Sequence, residues 1–191
     1  MKARPGPLPG ENFPASENVP VVRAVCLVGF MGAGKSSVGA ALGRRLGCRF
    51  IDLDEQIQVR EGRTIKEIFG ESGEAEFRRV EHAALRELLD GPVASPVVIA
   101  LGGGAFIQAE NAELLERAGV PSVFLDAPVD ELFRRCQEQQ LDRPLRRDRE
   151  QFRQLHEARR QGYLAAGLHV ETGGKDVEMV AEEVAELLKS Y

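Results

Sequence analysis

The chain is predicted to fold as an α/β sandwich of three layers, with a mostly parallel five-stranded sheet between helices. Two observations predict it. Five short apolar, often β-branched runs, Ala24 to Val28, Arg49 to Ile51, Val97 to Leu101, Ser122 to Leu125 and Leu168 to Glu171, alternate with segments of helical pattern. The first run leads directly into Gly29-Phe30-Met31-Gly32-Ala33-Gly34-Lys35-Ser36, which fits G-x-x-x-x-G-K-[ST], a phosphate-binding loop between a strand and a helix. Strand, helix, strand order calls for parallel pairing and places ligands outside the carboxyl ends of the strands.

The elements follow in order. Residues 1–20 contain Pro5, Pro7, Pro9, Pro14 and Pro20 with Gly6 and Gly10, leaving little apolar material to pack, so they read as a disordered tail before one domain at 21–191. After the first strand, glycines let the loop curl its N–H groups inward, and the helix from Val38 to Leu46 adds its positive end. Lys35 is placed to meet the β and γ phosphates, and Ser36 to offer a hydroxyl to Mg²⁺, a hard cation that prefers oxygen. Gly32, Ala33, Gly34 and Ser37 complete the expected nucleotide contacts. Further helical patterns run from Thr64 to Leu89, Asn111 to Ala118, Pro128 to Gln137, Gln151 to Ala166 and Asp176 to Leu188.

Composition narrows the function classes. The chain has 191 residues, 43% hydrophobic and 29% charged, enough for a real core and one domain. Met1-Lys2-Ala3-Arg4 is followed by no apolar segment of secretory type, and no apolar run approaches a membrane span. Cys26, Cys48 and Cys136 are odd in number and widely spaced, which fits reduced structural thiols and a cytoplasmic protein. From Arg143 to Arg160, seven arginines face Asp148, Glu150 and Glu157, a local +4 in a chain of net −5. An acidic remainder without an interleaved aromatic platform argues against nucleic acid.

The other strand ends carry candidate chemistry. Asp52 and Asp54 are two apart, which a strand-like backbone would turn to one side; one suits a metal and one a substrate, unless either merely caps the helix starting near Glu55. Gly102-Gly103-Gly104 follows the third strand and can hold conformations closed to other residues, or form a tight turn. Arg78 and Glu81 are neighbours on one helix face, a spacing usual for a solvated salt bridge. Arg143-Pro144-Leu145 sits in a polar stretch and reads as a mobile lid carrying an arginine toward a triphosphate.

In order and spacing, the phosphate loop, Asp52-Leu53-Asp54, Thr64 to Phe69 with Gly73-Glu74, Phe77-Arg78 with Glu81, the glycine triplet and Arg143-Pro144-Leu145 closely resemble shikimate kinase, over roughly residues 24 to 189. The resemblance implies a P-loop kinase fold and transfer of the ATP γ-phosphoryl group to the 3-hydroxyl of shikimate, in the pathway to chorismate and aromatic amino acids. It implies that Asp54 orients or deprotonates the attacking hydroxyl, that Arg78 binds the substrate carboxylate, and that Gly102, Gly103 and Gly104 line the ring. It assigns Lys35 and Arg143 to the phosphates, Ser36 and Asp52 to Mg²⁺, and a monomer as the working form. The family's second carboxylate arginine lies four residues before a tyrosine, which points to Arg159 before Tyr163. Gln161 replaces the family proline and Arg160 is adjacent, so both arginines stay open. The segment Cys136 to Asp142 lacks the arginine-threonine start of the family lid, and Lys175 is a weak candidate beside the adenine.

Two rival readings belong beside this one. A gluconate or nucleoside-phosphate kinase shares the fold, although Asp54, Arg78 and the triplet together suit a hydroxylated carboxylic acid. A kinase-like binding module without turnover is the other, against which stand Lys35, Ser36, Asp54 and Arg143. No N-K-x-D segment for guanine occurs.

Overall fold

A computed structural model describes residues 23–91, 96–138 and 148–191. The chain alternates as predicted: β1 (Ala24–Val28), α1 (Lys35–Leu46), β2 (Arg49–Asp52), α2 (Leu53–Glu61), α3 (Ile65–Asp90), β3 (Val97–Ala100), α4 (Ala109–Arg117), β4 (Ser122–Asp126), α5 (Val129–Glu138), α6 (Arg149–Tyr163), β5 (Leu168–Glu171) and α7 (Val177–Leu188). The five strands form one sheet in the order β2-β3-β1-β4-β5, and every described pairing is parallel. Both the 1–20 tail and the predicted lid around Arg143 lie outside the described residues.

Strands β1, β3 and β4 are buried along their whole length, which explains why they read as unbroken apolar runs instead of alternating ones. Leu27, Ile99, Val123 and Leu125 are fully buried at the sheet centre, and Leu42, Leu85 and Val184 close it from the helices. Helix α3 begins with a reciprocal capping box: Thr64 Oγ1 accepts from the Glu67 N–H at 3.2 Å, and Glu67 Oε2 accepts from the Thr64 N–H at 2.7 Å. The helix is broken at Gly73, where φ 79° and ψ 174° leave the helical region, so the arm bearing Phe77, Arg78 and Glu81 has its own direction.

Where the structure differs, local chemistry explains why. Helix α2 starts at Leu53, so Asp54 stands in a first helical turn and the strand-like placement of the Asp52/Asp54 pair does not hold. None of Gly102, Gly103 or Gly104 has a left-handed φ; the triplet is needed for space, not for conformation.

Candidate active site

The phosphate loop is built by wedging. At Gly29, with φ 142°, an added Cβ would stand 2.6 Å from the Leu125 carbonyl oxygen of β4; at Gly32, with φ 81°, it would stand 2.6 Å from that of Leu132 and 2.9 Å from Cys136 Sγ. Only glycine fits against β4 and α5 there. Helix α1 is capped by Gly34 with no side-chain bond, whereas α2, α3, α6 and α7 each start with a side chain accepting from a first-turn N–H. The leading N–H groups of α1 and its positive dipole end are therefore left for an anion. Lys35 arches over the loop, its Nζ donating to the carbonyls of Gly29 at 2.9 Å and Phe30 at 3.1 Å. Ala33 is buried beneath it, and Ser36 and Ser37 are placed on the first turn of α1.

Asp52 caps the helix and also reaches the phosphate loop. Its Oδ1 caps α2, accepting from the N–H of Asp54 at 3.0 Å, while its Oδ2 accepts from Ser36 Oγ at 2.7 Å. A hydroxyl and a carboxylate thus meet at the mouth of the phosphate loop. This all-oxygen donor pair suits a hard divalent cation.

The glycine triplet forms a bare edge on which five polar side chains converge. A Cβ at Gly102 would lie 2.6 Å from Asp54 Oδ1 and 3.2 Å from Glu81 Oε1; one at Gly104 would lie 2.6 Å from Arg78 Nη2. The Gly103 carbonyl accepts from Arg159 Nη1 at 3.3 Å and from the Tyr163 hydroxyl. Arg159 and Tyr163 lie one turn apart on α6, so one helix face delivers both. The adjacent Arg160 is turned away, its Nη2 donating to Asp126 Oδ2 at 2.7 Å. A Cβ at Gly103 would lie 3.7 Å from Arg159 Nη1 and 3.9 Å from the Gly29 carbonyl oxygen, so the triplet edge borders the phosphate loop.

Glu81 is the residue sequence reasoning undervalued. It reads as half of an exposed pair with Arg78, yet it is 1% exposed, with Oε2 accepting from Arg78 Nη1 at 2.8 Å. Its Oε1 has no hydrogen-bond partner among the described residues, nor has Arg78 Nε. Burial pushes the Glu81 carboxyl up to about 7 against the pull of the Arg78 guanidinium, with the Asp54 charge adding to the rise. Arg78 Nη2 also donates to Glu74 at 3.0 Å. The signal that could have found Glu81 is its place one turn from Phe77 and next to Val80, on the buried side of α3. Burial likewise pushes the Tyr163 phenol up to about 12, so its hydroxyl stays a donor.

The nucleotide side holds a second overlooked residue. Arg135 of α5 donates from Nη2 to the Thr172 carbonyl at 2.8 Å and to Glu131 Oε1 at 2.6 Å, and from Nη1 to the Gly32 carbonyl at 3.5 Å. It therefore joins the phosphate loop to the 172–175 turn. Its position just before the segment lacking the family's arginine-threonine start was the available clue. Lys175 on that turn pairs with Glu183 at 2.5 Å. Arg143 lies outside the described residues. Cys26, Cys48 and Cys136 are buried and none is in a disulfide, and burial raises the Cys26 and Cys48 thiols, Cys48 to about 11. Among the described residues no helix is long and apolar enough to cross a membrane.

Comparison with known proteins agrees with the fold. The shikimate kinase family model matches residues 31–189. A shikimate kinase of Cereibacter sphaeroides is 44% identical over 169 residues, 87% of this chain and 82% of that protein. The solved structure of the Acinetobacter baumannii shikimate kinase in complex with shikimate superposes with a TM-score of 0.78 at 32% identity, covering 90% of this chain and 95% of that one. A gluconokinase of Sinorhizobium meliloti, at TM-score 0.61 and 20% identity, shares the fold alone.

Proposed function

Because this chain belongs to the shikimate kinase family, we propose that its crevice transfers the γ-phosphoryl group of ATP to the 3-hydroxyl of shikimate. The observation that carries the reading is the shared border of the two half-sites: the triplet edge, with Arg78, Arg159 and Asp54 against it, lies beside the carbonyl of Gly29. Direct transfer needs the two reactants side by side.

The geometry supports the roles that the family resemblance implies. Arg78 and Arg159 approach the triplet from α3 and α6, so a carboxylate between them meets two guanidinium groups. Glu81 holds Arg78 in place, and Asp54, fixed through its N–H by Asp52, takes the proton from the attacking hydroxyl. The hydroxyl oxygen forms the new bond to phosphorus as the bond to the β–γ bridging oxygen breaks, leaving ADP. The main-chain N–H groups of Gly32, Gly34, Lys35, Ser36 and Ser37, with the Lys35 ammonium, bind the phosphates beside Ala33, whose N–H donates to the Phe30 carbonyl at 3.2 Å, and the resemblance assigns Arg143 to the same phosphates. Ser36 and Asp52 would hold Mg²⁺, which offsets phosphate charge when bound. The working form is a cytoplasmic monomer whose partners are ATP and shikimate.

A coupled ADP-release assay with shikimate, gluconate and no acceptor tests the reading. ADP release driven by shikimate alone is the expected result. Turnover with gluconate and not shikimate would reassign the acceptor, and no acceptor-dependent release would leave a binding module.

A further inference from the structure

Beside the acceptor pocket, α3 and α4 flank a cleft of about 490 Å³ lined by Arg78, Arg79, His82, Gln108 and Asn111. A polar tie closes its floor. Asn111, in the first turn of α4, is 1% exposed and uses both ends of its amide: Nδ2 donates to the Ala105 carbonyl at 3.0 Å, and Oδ1 accepts from His82 Nδ1 at 2.8 Å. The Ala105 bond fixes which end of the amide is oxygen, so His82 Nδ1 must carry the hydrogen. Ala105 directly follows the triplet, and its own N–H donates to the Gly102 carbonyl at 3.0 Å, closing residues 102–105 into one turn. His82 lies one helical turn beyond Arg78 and next to Glu81. The contacts therefore run without a gap from the bare glycine edge, through Ala105, Asn111 and His82, to the helix bearing the arginine packed on that edge.

We propose that His82 and Asn111 are positioning residues for the acceptor pocket, locking the triplet turn to the arm of α3 that carries Arg78 and Glu81. This rests on the reading of that pocket as the shikimate site. Neither side chain needs to touch the substrate. Their tie sets the gap between Gly104 and the Arg78 guanidinium, which is narrower than a methyl group, since a Cβ at Gly104 would fall 2.6 Å from Nη2. On its other flank the same turn is held from α6 by Tyr163 and Arg159 through the Gly103 carbonyl. Release of the α3 flank lets the glycine edge and Arg78 shift relative to each other while the phosphate loop stays fixed.

The test is a split between the two substrates. His82→Leu removes the donor and leaves Asn111 Oδ1 buried without its partner; the expected result is a rise in the shikimate KM of roughly three- to tenfold with the ATP KM unchanged. His82→Asn, which carries an N–H donor near the place of Nδ1, is expected to restore the shikimate KM. Asn111→Asp keeps the acceptor for His82 but loses the donor to Ala105, so it should raise the shikimate KM by itself, and it serves if His82→Leu does not fold. A shikimate KM unchanged in a folded His82→Leu or Asn111→Asp enzyme, equal rises for both substrates, or no rescue by His82→Asn overturns the proposal. Wild-type enzyme inactive on shikimate overturns instead the reading of the pocket.

Discussion

Gly104→Ala isolates the part of the acceptor site that depends on empty space. The added Cβ would stand 2.6 Å from Arg78 Nη2, 2.9 Å from Nη1 and 3.0 Å from Cζ. Unstrained heavy-atom contacts lie near 3.5–4.0 Å, so the guanidinium must retreat by about 1 Å. It cannot do so and keep its bonds to Glu81 at 2.8 Å and Glu74 at 3.0 Å. Misplacement of a binding group by about 1 Å can cost on the order of 10²-fold, and loss of a charge-assisted bond about 1.5–3 kcal/mol, or roughly 10- to 150-fold. We expect kcat/KM for shikimate to fall roughly 10- to 100-fold with the ATP KM unchanged. Folding should lose about 1.5–3 kcal/mol from the bond to buried Glu81, offset in part because alanine reduces unfolded-state freedom, worth about 0.4–1 kcal/mol in the stabilising direction. The assay is ADP release with each substrate varied at saturating partner, beside a thermal melt. Gly103→Ala is the comparison: its methyl would lie 3.7 Å from Arg159 Nη1 and 3.8 Å from the Tyr163 oxygen, ordinary contacts, so any loss there reports space used by substrate. An unchanged shikimate KM in Gly104→Ala would refute the placement of Arg78 on the triplet.

Three further outcomes are expected. Asp54→Asn keeps a hydrogen-bond acceptor but cannot take a proton, so kcat should drop by about 10² or more while shikimate still binds; retention of most activity removes the base role. Glu81, its carboxyl raised from 4.5 to about 7, binds its proton more tightly in the folded state, so its contribution to stability is present below pH 4.5 and lost as pH rises through 7. The ionised carboxylate also competes with a substrate carboxylate for Arg78, so the shikimate KM should rise across pH 7 and the rise should flatten in Glu81→Gln; parallel pH profiles in both enzymes would contradict this. Asp52→Asn retains an N-cap for α2 and should lower Mg²⁺ affinity at unchanged melting temperature, whereas Asp52→Ala should also lose about 1 kcal/mol of stability. Equal melting temperatures for both variants would mean that the cap is idle.

Features made of consecutive residues are legible along the chain. The phosphate loop is one, because Gly29, Gly32 and Gly34 take up local backbone conformations that the sequence pattern encodes, and a strand before and a helix after suffice to orient them. Strand and helix alternation is another, since burial of β1, β3 and β4 on both faces writes itself as unbroken apolar runs. Glu81 is not legible as a buried acid, because a spacing of three from Arg78 is the same whether that helix face meets water or a pocket. The spacing before Tyr163 points to Arg159 over Arg160, but sequence cannot settle it, because it turns on which face of α6 meets Gly103 and which meets Asp126.

By itself the sequence determined the α/β layering, the anion cradle and the kinship that points to its acceptor, because each is written in local order or in runs of side-chain type. The tertiary structure alone decided that Asp54, Glu81, Arg78, Arg159 and Tyr163 share one glycine edge. They come from helices α2, α3 and α6, and their distances to one another depend on how those helices pack on the sheet. Packing joins residues far apart in the chain, and no spacing along the chain encodes it.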